Sequence, residues 1–504
     1  MNPSKQIKLG AVVSYIAIAI NIISGLLFTP WMIRCIGQQD YGLYTLAMSV
    51  IGLFVFDFGL STAITRFIAK YLAESRQDKA DNCLGLAFRL YFLIDILLLF
   101  ILVGVYFFLP VIYKELTPDE LSKFKIIYVI ASVFSVLSFP FIPQNGVLSA
   151  HEKFVQLKLC DVIHKVLIVG LMSLCLVQGY GLSALVLVNA FAGIFVILLK
   201  IWIIKHKTHQ SLNVKYFNLQ EFKELLGYSW WVTVMAIAQR FIFNLAPSVL
   251  GYFSGSTSIA ILGIAMTVEG YTYTFANAIN GMFLPKVTRI LTYNPDELLP
   301  LMIRVGRIQI IIIGAIVLGF CCLGKEFVHL WVGEEFSTSY LCALLIIIPS
   351  FFQLPQEIGT QAIYALNKVR SLAVVFVIMA LVNIVLSLIL AKSMGAIGIC
   401  LSVFIAYMVR TIGMDYIFFK DMKIDIFSFF KDAYGPMCAP MLLILVIGLL
   451  INYIIPFEPS WLTFAIKCCA FVFVYVGIIW FGAMNNIERK LFIDPMIKIL
   501  NRIK

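Results

Sequence analysis

The sequence predicts an all-α membrane protein that crosses the bilayer about fourteen times. Three observations predict this fold class. Of the 504 residues, 61% are hydrophobic and only 13% are charged, which is about half the charged fraction of a soluble chain. The mean hydropathy is +0.96. The apolar residues also occur in runs of about 20, the length that a helix needs to cross the hydrocarbon core.

Each apolar run is a candidate span, with ends placed to within a few residues. The first run lacks the short length and small-residue cleavage site of a secretory signal, so we expect it to remain as a span. The predicted spans are residues 9–32, 41–65, 84–109, 125–148, 156–178, 182–204, 227–252, 257–284, 302–323, 340–364, 371–392, 396–419, 433–455 and 461–483.

The basic residues are concentrated in alternate loops. A net charge of +11 would suggest a nucleic-acid partner in a soluble chain. Here the basic loops, such as 66–79, 205–223 and 420–431, follow the positive-inside rule. We therefore expect no nucleic-acid partner, and we predict that both termini are cytoplasmic. The connections on the opposite side are short and leave no room for a catalytic ectodomain.

The sequence contains no pattern typical of a cofactor site. Its 11 cysteines and 5 histidines lack metal-ligand spacing, and no nucleotide-binding or catalytic motif is present. We expect no metal, no cofactor and no catalytic residue. Without an ATPase of its own, the protein must draw any uphill movement from an ion gradient or from the gradient of its substrate.

Two stretches six spans apart resemble each other. Pro143–Lys153 and Pro355–Lys368 each place Pro-Gln inside a span and Ala-x-x-Lys at its end. This weak repeat predicts two parallel halves around a central cavity. The predicted domains are residues 1–217 (spans 1–6), 218–424 (spans 7–12), and 425–504 (spans 13–14 with a basic tail). Amphipathic connectors are predicted at Asn218–Trp231 and Asp425–Tyr434.

Asp57 lies near the middle of the second span and is followed by Gly59. A mid-membrane acid costs about 2.5–3.5 kcal/mol on insertion, so its carboxyl must face the bundle interior or a wet cavity. Two interpretations stay open: Asp57 lines a transport path, as a gating or ion-coupling residue, or it packs against a neighbouring helix.

Arg240 lies near the middle of the seventh span, and Asn244 follows one turn later on the same face. A guanidinium does not shed its proton, so a counter-charge is required. One interpretation is a structural ion pair with Glu269 or Asp57. The other is an anchor for an anionic substrate group.

Spans 8 and 10 each carry polar residues on one helical face. Glu269, Tyr273, Asn277 and Asn280 fall within a narrow arc of span 8 at about 100° per residue. In span 10 the polar residues are Gln353, Gln356, Glu357, Thr360, Gln361 and Tyr364. Carboxylates, amides and hydroxyls suit sugars or water and do not suit lipid. The alternative is polar contact between helices.

The remaining charges inside spans have weaker patterns. Asp161 and Lys165 are spaced to pair with each other in span 5, and Lys467 in span 14 is expected to snorkel outward. Lys165 and Arg410 complete the candidate substrate-binding residues. The candidates for ion coupling are Asp57, Asp161, Glu269 and Glu357.

Several short motifs resemble the Wzx-like oligosaccharide flippases, the polysaccharide transporters of the multidrug/oligosaccharidyl-lipid/polysaccharide exporter superfamily. The matching residues are Gly37, Asp40–Tyr44, Asp57–Leu60 with Gly59, Arg66, Asn145–Ala150, Gly251–Tyr252, Pro285 and Leu330–Phe336. The resemblance implies two six-helix lobes in a V around a central cationic cavity, plus two C-terminal helices. Asp57, Gly59 and Arg66 correspond to motif residues, and Arg240 would be the cavity cation. Many relatives carry an acid near the position of Asn244, so this chain departs from the pattern there.

The resemblance also implies a function and its partners. We expect ion-coupled alternating access that moves a polyprenyl-pyrophosphate-linked oligosaccharide unit across the bacterial inner membrane, for O-antigen or capsule synthesis. The expected partners are this substrate, the bilayer, and a polysaccharide polymerase with its glycosyltransferases. The alternatives are a multidrug exporter of the same superfamily, a lipid II flippase, a membrane glycosyltransferase or ligase, and a scaffold. The sequence does not support the last two alternatives. A glycosyltransferase or ligase usually has a large catalytic loop, which is absent here, and a scaffold would not need polar residues in several spans.

Overall fold

All regular secondary structure in the residues that the computed structural model describes is helical. These residues are 3–208, 210–213, 215–277, 283–366, 368–456, 458–486 and 488–490, and the side chains are described for all of them except 3–17, 62, 224–229, 275–277, 284 and 285. No strand occurs in this part of the chain. The predicted all-α membrane class is confirmed.

The chain forms two compact units. Unit 1 comprises Met1–Gly263 with Phe376–Ser402, and unit 2 comprises Ile264–Val375 with Val403–Lys504. The predicted division into spans 1–6, spans 7–12 and a C-terminal pair is a separate description and remains a prediction.

Most helices lie in one unit. Unit 1 contains α1 (Pro3–Ile36), α2 (Gln38–Phe54), α3 (Leu60–Ala73), α4 (Gln77–Ile112), α5 (Pro118–Ser138), α6 (Gln144–Ala150), α7 (Phe154–Val177), α8 (Leu182–Lys207), α9 (Leu219–Phe243), α10 (Leu245–Phe253) and the start of α11 (Gly255–Asn277). Unit 2 contains the rest of α11, α12 (Leu284–Tyr293), α13 (Leu298–Val332), α14 (Ser337–Ile347), α15 (Ser350–Gln353), α16 (Glu357–Ala365), both ends of α17 (Val369–Met422), α18 (Ile426–Ala433), α19 (Gly435–Ile454) and α20 (Trp461–Ile478).

Eleven helical segments in the described residues are long and apolar enough to cross a membrane. Three features separate this number from the predicted fourteen, which stays a prediction. The second predicted span is broken at 55–59 into α2 and α3. Spans 11 and 12 are joined in α17, whose backbone turns at Gly395 with φ of 56°. The eighth predicted span corresponds to α11, which carries a polar stripe and is not one of the eleven.

Small residues and helix caps determine the packing of unit 1. Helix α5 begins with a capping box, in which the Thr117 hydroxyl and the Glu120 carboxylate each bond to the backbone of the other. Helix α3 packs closely against α6, because a Cβ at Gly146 would lie 2.7 Å from the Ser61 carbonyl oxygen. This close contact fixes α3 against α6, and with it the position of polar residues such as Ser61.

Helix α13 is the central element of unit 2. It packs against α14, α16, α18, α19 and α20, and it buries Met302, Ile310 and Ile313 completely. The amphipathic connector predicted at Asp425–Tyr434 is confirmed as α18, and the Asp425 side chain accepts from the Ser428 amide at its start. The connector predicted at Asn218–Trp231 instead runs directly into the span as one helix, α9.

Candidate functional site

Asp57 lies in the break between α2 and α3, not in the continuous span that the hydropathy predicts. Gly59 precedes α3 with φ of 72°, a left-handed conformation that glycine adopts without strain. The Asp57 Oδ1 atom accepts from the Ser61 amide at 3.1 Å and from the Tyr91 hydroxyl at 2.7 Å. Asp57 thus satisfies a free amide of the first turn of α3 and joins it to α4. This geometry favours the packing interpretation.

The backbone of the break has a second support. The Phe58 carbonyl oxygen accepts from the Thr233 hydroxyl of α9. Non-helical backbone inside a membrane protein requires such partners, because lipid offers none. The break is therefore an intact, hydrogen-bonded element of unit 1.

Arg240 lies where α9 gives way to α10, at Asn244. Its Nη1 atom donates to the Asn244 Oδ1 atom at 3.4 Å, and its guanidinium lies 5.8 Å from the centre of the Phe56 ring, within cation–π range. Asn244 in turn contacts α2, where a Cβ at Gly52 would lie 2.3 Å from its Nδ2 atom. Among the described residues of unit 1, no carboxylate lies within 4.0 Å of Arg240. The predicted ion pair with Asp57 is therefore not formed.

Unit 2 brings residues of three helices into one group, which we call the polar cluster: Glu269 and Tyr273 of α11, Glu357, Gln361 and Tyr364 of α16, and Tyr407 and Arg410 of α17. The Gln361 Nε2 atom donates to Glu357 Oε1 at 3.1 Å. Arg410 lies within electrostatic range of Glu357, and Tyr273 lies within range of Glu269, Glu357 and Arg410.

The polar cluster is buried on one side and open on the other. Arg410 is only 4% exposed, whereas Tyr273 is 38% and Tyr364 is 42% exposed. The cluster therefore offers hydroxyl, amide and carboxylate groups at an accessible surface, with a fixed cation behind them. A carbohydrate requires such donors and acceptors.

The structure divides the predicted stripe of span 10. A turn of 3₁₀ helix at Leu354–Gln356, which contains Pro355, shifts the helical phase between α15 and α16. Gln356 is consequently buried at 3% exposure and lies near Asp415. Gln353 is half-buried before the turn. Only the part of the stripe after the turn joins the polar cluster.

The other predicted residues belong to unit 1 or fall outside the described side chains. Asp161 is exposed and pairs with Lys158 at 3.2 Å, so the predicted pair with Lys165 is wrong. Lys165 is half-buried in α7, and Arg66 is exposed on α3. Asn277 ends α11 with its side chain outside the described residues, and Asn280 lies outside them altogether.

Tyr407 was missed by the sequence reasoning. It lies within electrostatic range of Glu269, Tyr273 and Arg410. Its spacing of three residues before Arg410 places both on one face of α17. The spacing of Tyr407 from Arg410 is the sequence pattern that could have identified it.

Lys467 is fully buried, so the prediction that it snorkels outward is wrong. Its Nζ atom donates to Glu326 Oε1 at 2.5 Å and to Asn452 Oδ1 at 3.0 Å. Glu326 lies beyond the end of the predicted ninth span (302–323), but α13 continues through it to Val332. This triad joins α13, α19 and α20.

A second buried ion pair lies at the other end of α13. Arg307 donates to both carboxylate oxygens of Glu488, at 2.5 and 3.0 Å, and to the Ala483 carbonyl oxygen at 2.8 Å. Bidentate geometry of this kind fixes orientation as well as charge. The segment after α20 is thereby attached to α13.

An apolar groove of about 760 Å³ lies between α13 and α20. Aromatic and aliphatic side chains line it, including Phe320, Phe327, Phe464, Phe471 and Trp480. Such a surface suits a hydrocarbon chain and offers nothing to a sugar. Unit 2 therefore contains separate polar and apolar surfaces.

The comparisons with known proteins agree on one class. The family described as "Polysaccharide biosynthesis protein" matches residues 8–291. The "Uncharacterized membrane protein EpsK" of Bacillus subtilis (strain 168) is 23% identical over 422 residues, which cover 77% of each chain. The "Putative O-antigen transporter" of Shigella flexneri is 22% identical over 381 residues, covering 74% of this chain and 88% of that protein. The activities named among these relatives are transport and not catalysis.

Solved structures support the fold. The "Lipid II flippase MurJ, inward closed conformation" gives a TM-score of 0.72 at 15% identity, over 97% of this chain and 99% of that one. An inward-facing multidrug resistance MATE family transporter of the MOP superfamily gives 0.69 at 12% identity, over 84% and 99%. At these identities the likeness shows a shared fold.

Proposed function

The chain belongs to the polysaccharide biosynthesis protein family, and we propose that it is a flippase for a polyprenyl-pyrophosphate-linked oligosaccharide. It is a multi-pass membrane protein with a transporter fold. In the proposal, it moves the lipid-linked repeat unit across the bacterial cytoplasmic membrane for a surface polysaccharide, O-antigen or capsule, with both termini in the cytoplasm.

The polar cluster is the observation that carries the proposal. Sugar hydroxyls need donors and acceptors in one place, and Tyr273, Gln361 and Glu357 supply them within a membrane-embedded unit. A multidrug exporter would need acids and aromatic rings for cations, without the amide and guanidinium that this cluster adds. The relative named as an O-antigen transporter supports the same substrate class.

Arg240 is the proposed anchor for the pyrophosphate. Its guanidinium has an amide and an aromatic ring beside it, and no carboxylate of its own described unit lies within 4.0 Å. Guanidinium forks bind phosphate oxygens with two parallel hydrogen bonds. The apolar groove between α13 and α20 is large enough to hold part of the polyprenyl chain.

Arg240→Ala tests the anchor. We expect export to fall roughly a hundredfold, equivalent to about 2.7 kcal/mol, because a charge-assisted contact to the substrate is lost. Surface polysaccharide is measured in a deletion strain that carries the variant, with membrane level and thermal unfolding as checks on folding. Arg240→Lys should retain part of the activity, and Arg76→Ala, an exposed loop arginine, should retain all of it.

Normal polysaccharide with Arg240→Ala would contradict the anchor. A separate experiment tests the substrate class. Among the candidate substrates, the purified protein in liposomes should flip only the lipid-linked oligosaccharide. Flipping of lipid II, or raised drug susceptibility in the deletion strain, would favour the corresponding alternative.

A further inference from the structure

Unit 2 has a second polar pocket, at the junction of α12 and α13 and apart from the polar cluster. Its volume is about 520 Å³. Helix α12 is amphipathic: Val287 and Ile290 are buried, while Lys286 and Arg289 are exposed. Helix α13 begins the span that includes residues 295–332. The pocket therefore lies at the end of a membrane-spanning helix, beside a helix of interfacial character.

Two cations of this pocket lack a counter-charge. Lys286 and Arg304 are exposed, and no carboxylate among the described residues lies within 4.0 Å of either. Arg307, at the floor, is neutralised by Glu488 through two hydrogen bonds. Glu297 is the acid that remains among the lining residues, and it accepts a long bond of 3.4 Å from Asn294. The pocket is therefore cationic overall.

The wall beside these charges is apolar. Ile290, Ile303 and Pro300 line the same pocket as Lys286 and Arg304. A small soluble anion would use the cations and leave this wall unfilled. A molecule with an anionic head and a hydrocarbon chain matches both surfaces, and anionic lipids gain about 1 kcal/mol from each nearby Lys or Arg.

We propose that this pocket binds the headgroup of an anionic phospholipid of the surrounding bilayer. The phosphate lies between Lys286 and Arg304, and the first carbons of the acyl chains lie on Ile290 and Ile303. Bound lipid stabilises unit 2 where the Arg307–Glu488 pair attaches the segment after α20 to α13. The proposal does not depend on which glycan is transported.

The test measures lipid binding to the full-length protein. Thermal unfolding in detergent is followed with phosphatidylglycerol, with phosphatidylcholine and with inorganic phosphate, and retained lipid is counted by native mass spectrometry. We expect stabilisation by phosphatidylglycerol alone. Lys286→Gln with Arg304→Gln should weaken that binding about tenfold or more. Lys423→Gln with Lys431→Gln, the matched control, removes two other exposed cations of the same unit and should change nothing.

A second variant keeps both charges and blocks the space. Ile303→Trp should displace the lipid while leaving Lys286 and Arg304 in place. Retention of phosphatidylglycerol by both the charge variant and Ile303→Trp would overturn the proposal. Equal stabilisation by inorganic phosphate or by phosphatidylcholine would also overturn it, because the site would then select a free anion or no charge at all.

Discussion

The helix break of unit 1 and the polar cluster of unit 2 use acids in opposite ways. Asp57 has two donors at hydrogen-bond distance, and both belong to the structure that it supports. Glu357 has its partners, Gln361 and Thr360, on its own helix, and it lies beside tyrosines that are more than a third exposed. The first acid is enclosed by its own unit. The second is left able to exchange partners.

An acid inside the membrane is therefore not by itself evidence of a transport site. Both acids cost free energy to insert, and sequence alone gives them equal weight. What separates them is whether neighbours already supply the hydrogen bonds that a ligand would supply. Lys467 is the extreme enclosed case, because Glu326 and Asn452 hold it at zero exposure.

The largest effect is expected at Lys467, which is fully buried. Lys467→Met leaves the Glu326 carboxylate buried without its cation, and we expect a loss of about 3–5 kcal/mol in the free energy of unfolding. Thermal unfolding of the purified protein measures it. The double variant Lys467→Met with Glu326→Met removes both charges and should recover most of the loss. A single variant as stable as wild type would show that the triad is not enclosed as described.

The second-largest loss of stability is expected at Asp57. Asp57→Ala removes the acceptor for the Ser61 amide and the Tyr91 hydroxyl, with an expected cost of about 1–3 kcal/mol. Asp57→Asn keeps an oxygen at the same place and should cost less than half as much. Export should follow stability in both variants. A structural role for Asp57 is contradicted if Asp57→Asn stops export while Glu269→Gln and Glu357→Gln leave it unchanged.

Substitutions in the polar cluster should change transport and leave stability nearly unchanged. Glu269→Gln and Glu357→Gln keep the shape and most hydrogen bonds, so we expect stability to change by less than about 1 kcal/mol. The pH dependence of transport should nevertheless shift, because the variants remove a group that can bind a proton. Flipping into liposomes at several pH values measures this. An unchanged pH profile in both variants would remove the two glutamates as coupling residues.

The smallest effect is expected at His151, a half-buried group outside the spans. His151 bonds to Gln210, near Asp81 and Lys153, and burial lowers the pKa of its ring below the usual 6.5. The folded protein thus favours the neutral ring, so stability is complete above pH 6.5 and falls as the pH drops below that value. The ring is only half-buried, so screening limits the loss to about 0.5 kcal/mol.

Unfolding measured at pH 5.5 and 7.5 tests this sign. His151→Gln should abolish the difference attributable to the ring, whereas His206→Gln, on an exposed position, should preserve it. If lowering the pH from 7.5 to 5.5 destabilises wild type less than it destabilises His151→Gln, the ring gains, and does not lose, from its proton.

The sequence predicted the membrane fold and part of the polar cluster for a common reason: both depend on local periodicity. Runs of about 20 apolar residues specify spans. A spacing of four residues places Glu357 and Gln361 on one face, and their contact at 3.1 Å agrees with it. The division of the same stripe at Pro355 is harder to predict from the sequence, because a short 3₁₀ turn changes the helical phase without interrupting the apolar run.

Features that depend on distant partners could not be predicted. Lys467 and Glu326 are 141 residues apart, and nothing in either neighbourhood specifies the other. Hydropathy treats residues 41–65 as one span, because it does not register that Asp57 and Gly59 together support a turn. The break depends on Tyr91 and Thr233, which lie on other helices.

The buried lysine of α20 has a consequence for biosynthesis. A chain is made and inserted from its N-terminus, so Glu326 and then Asn452 enter the membrane before Lys467 does. The last helix thus carries its charge into a bilayer where both partners are already present. If α20 were synthesised ahead of α13, the lysine would have to enter lipid alone, at a cost of about 2.5–3.5 kcal/mol. The order of helices along the gene is thereby part of what lets this protein be assembled.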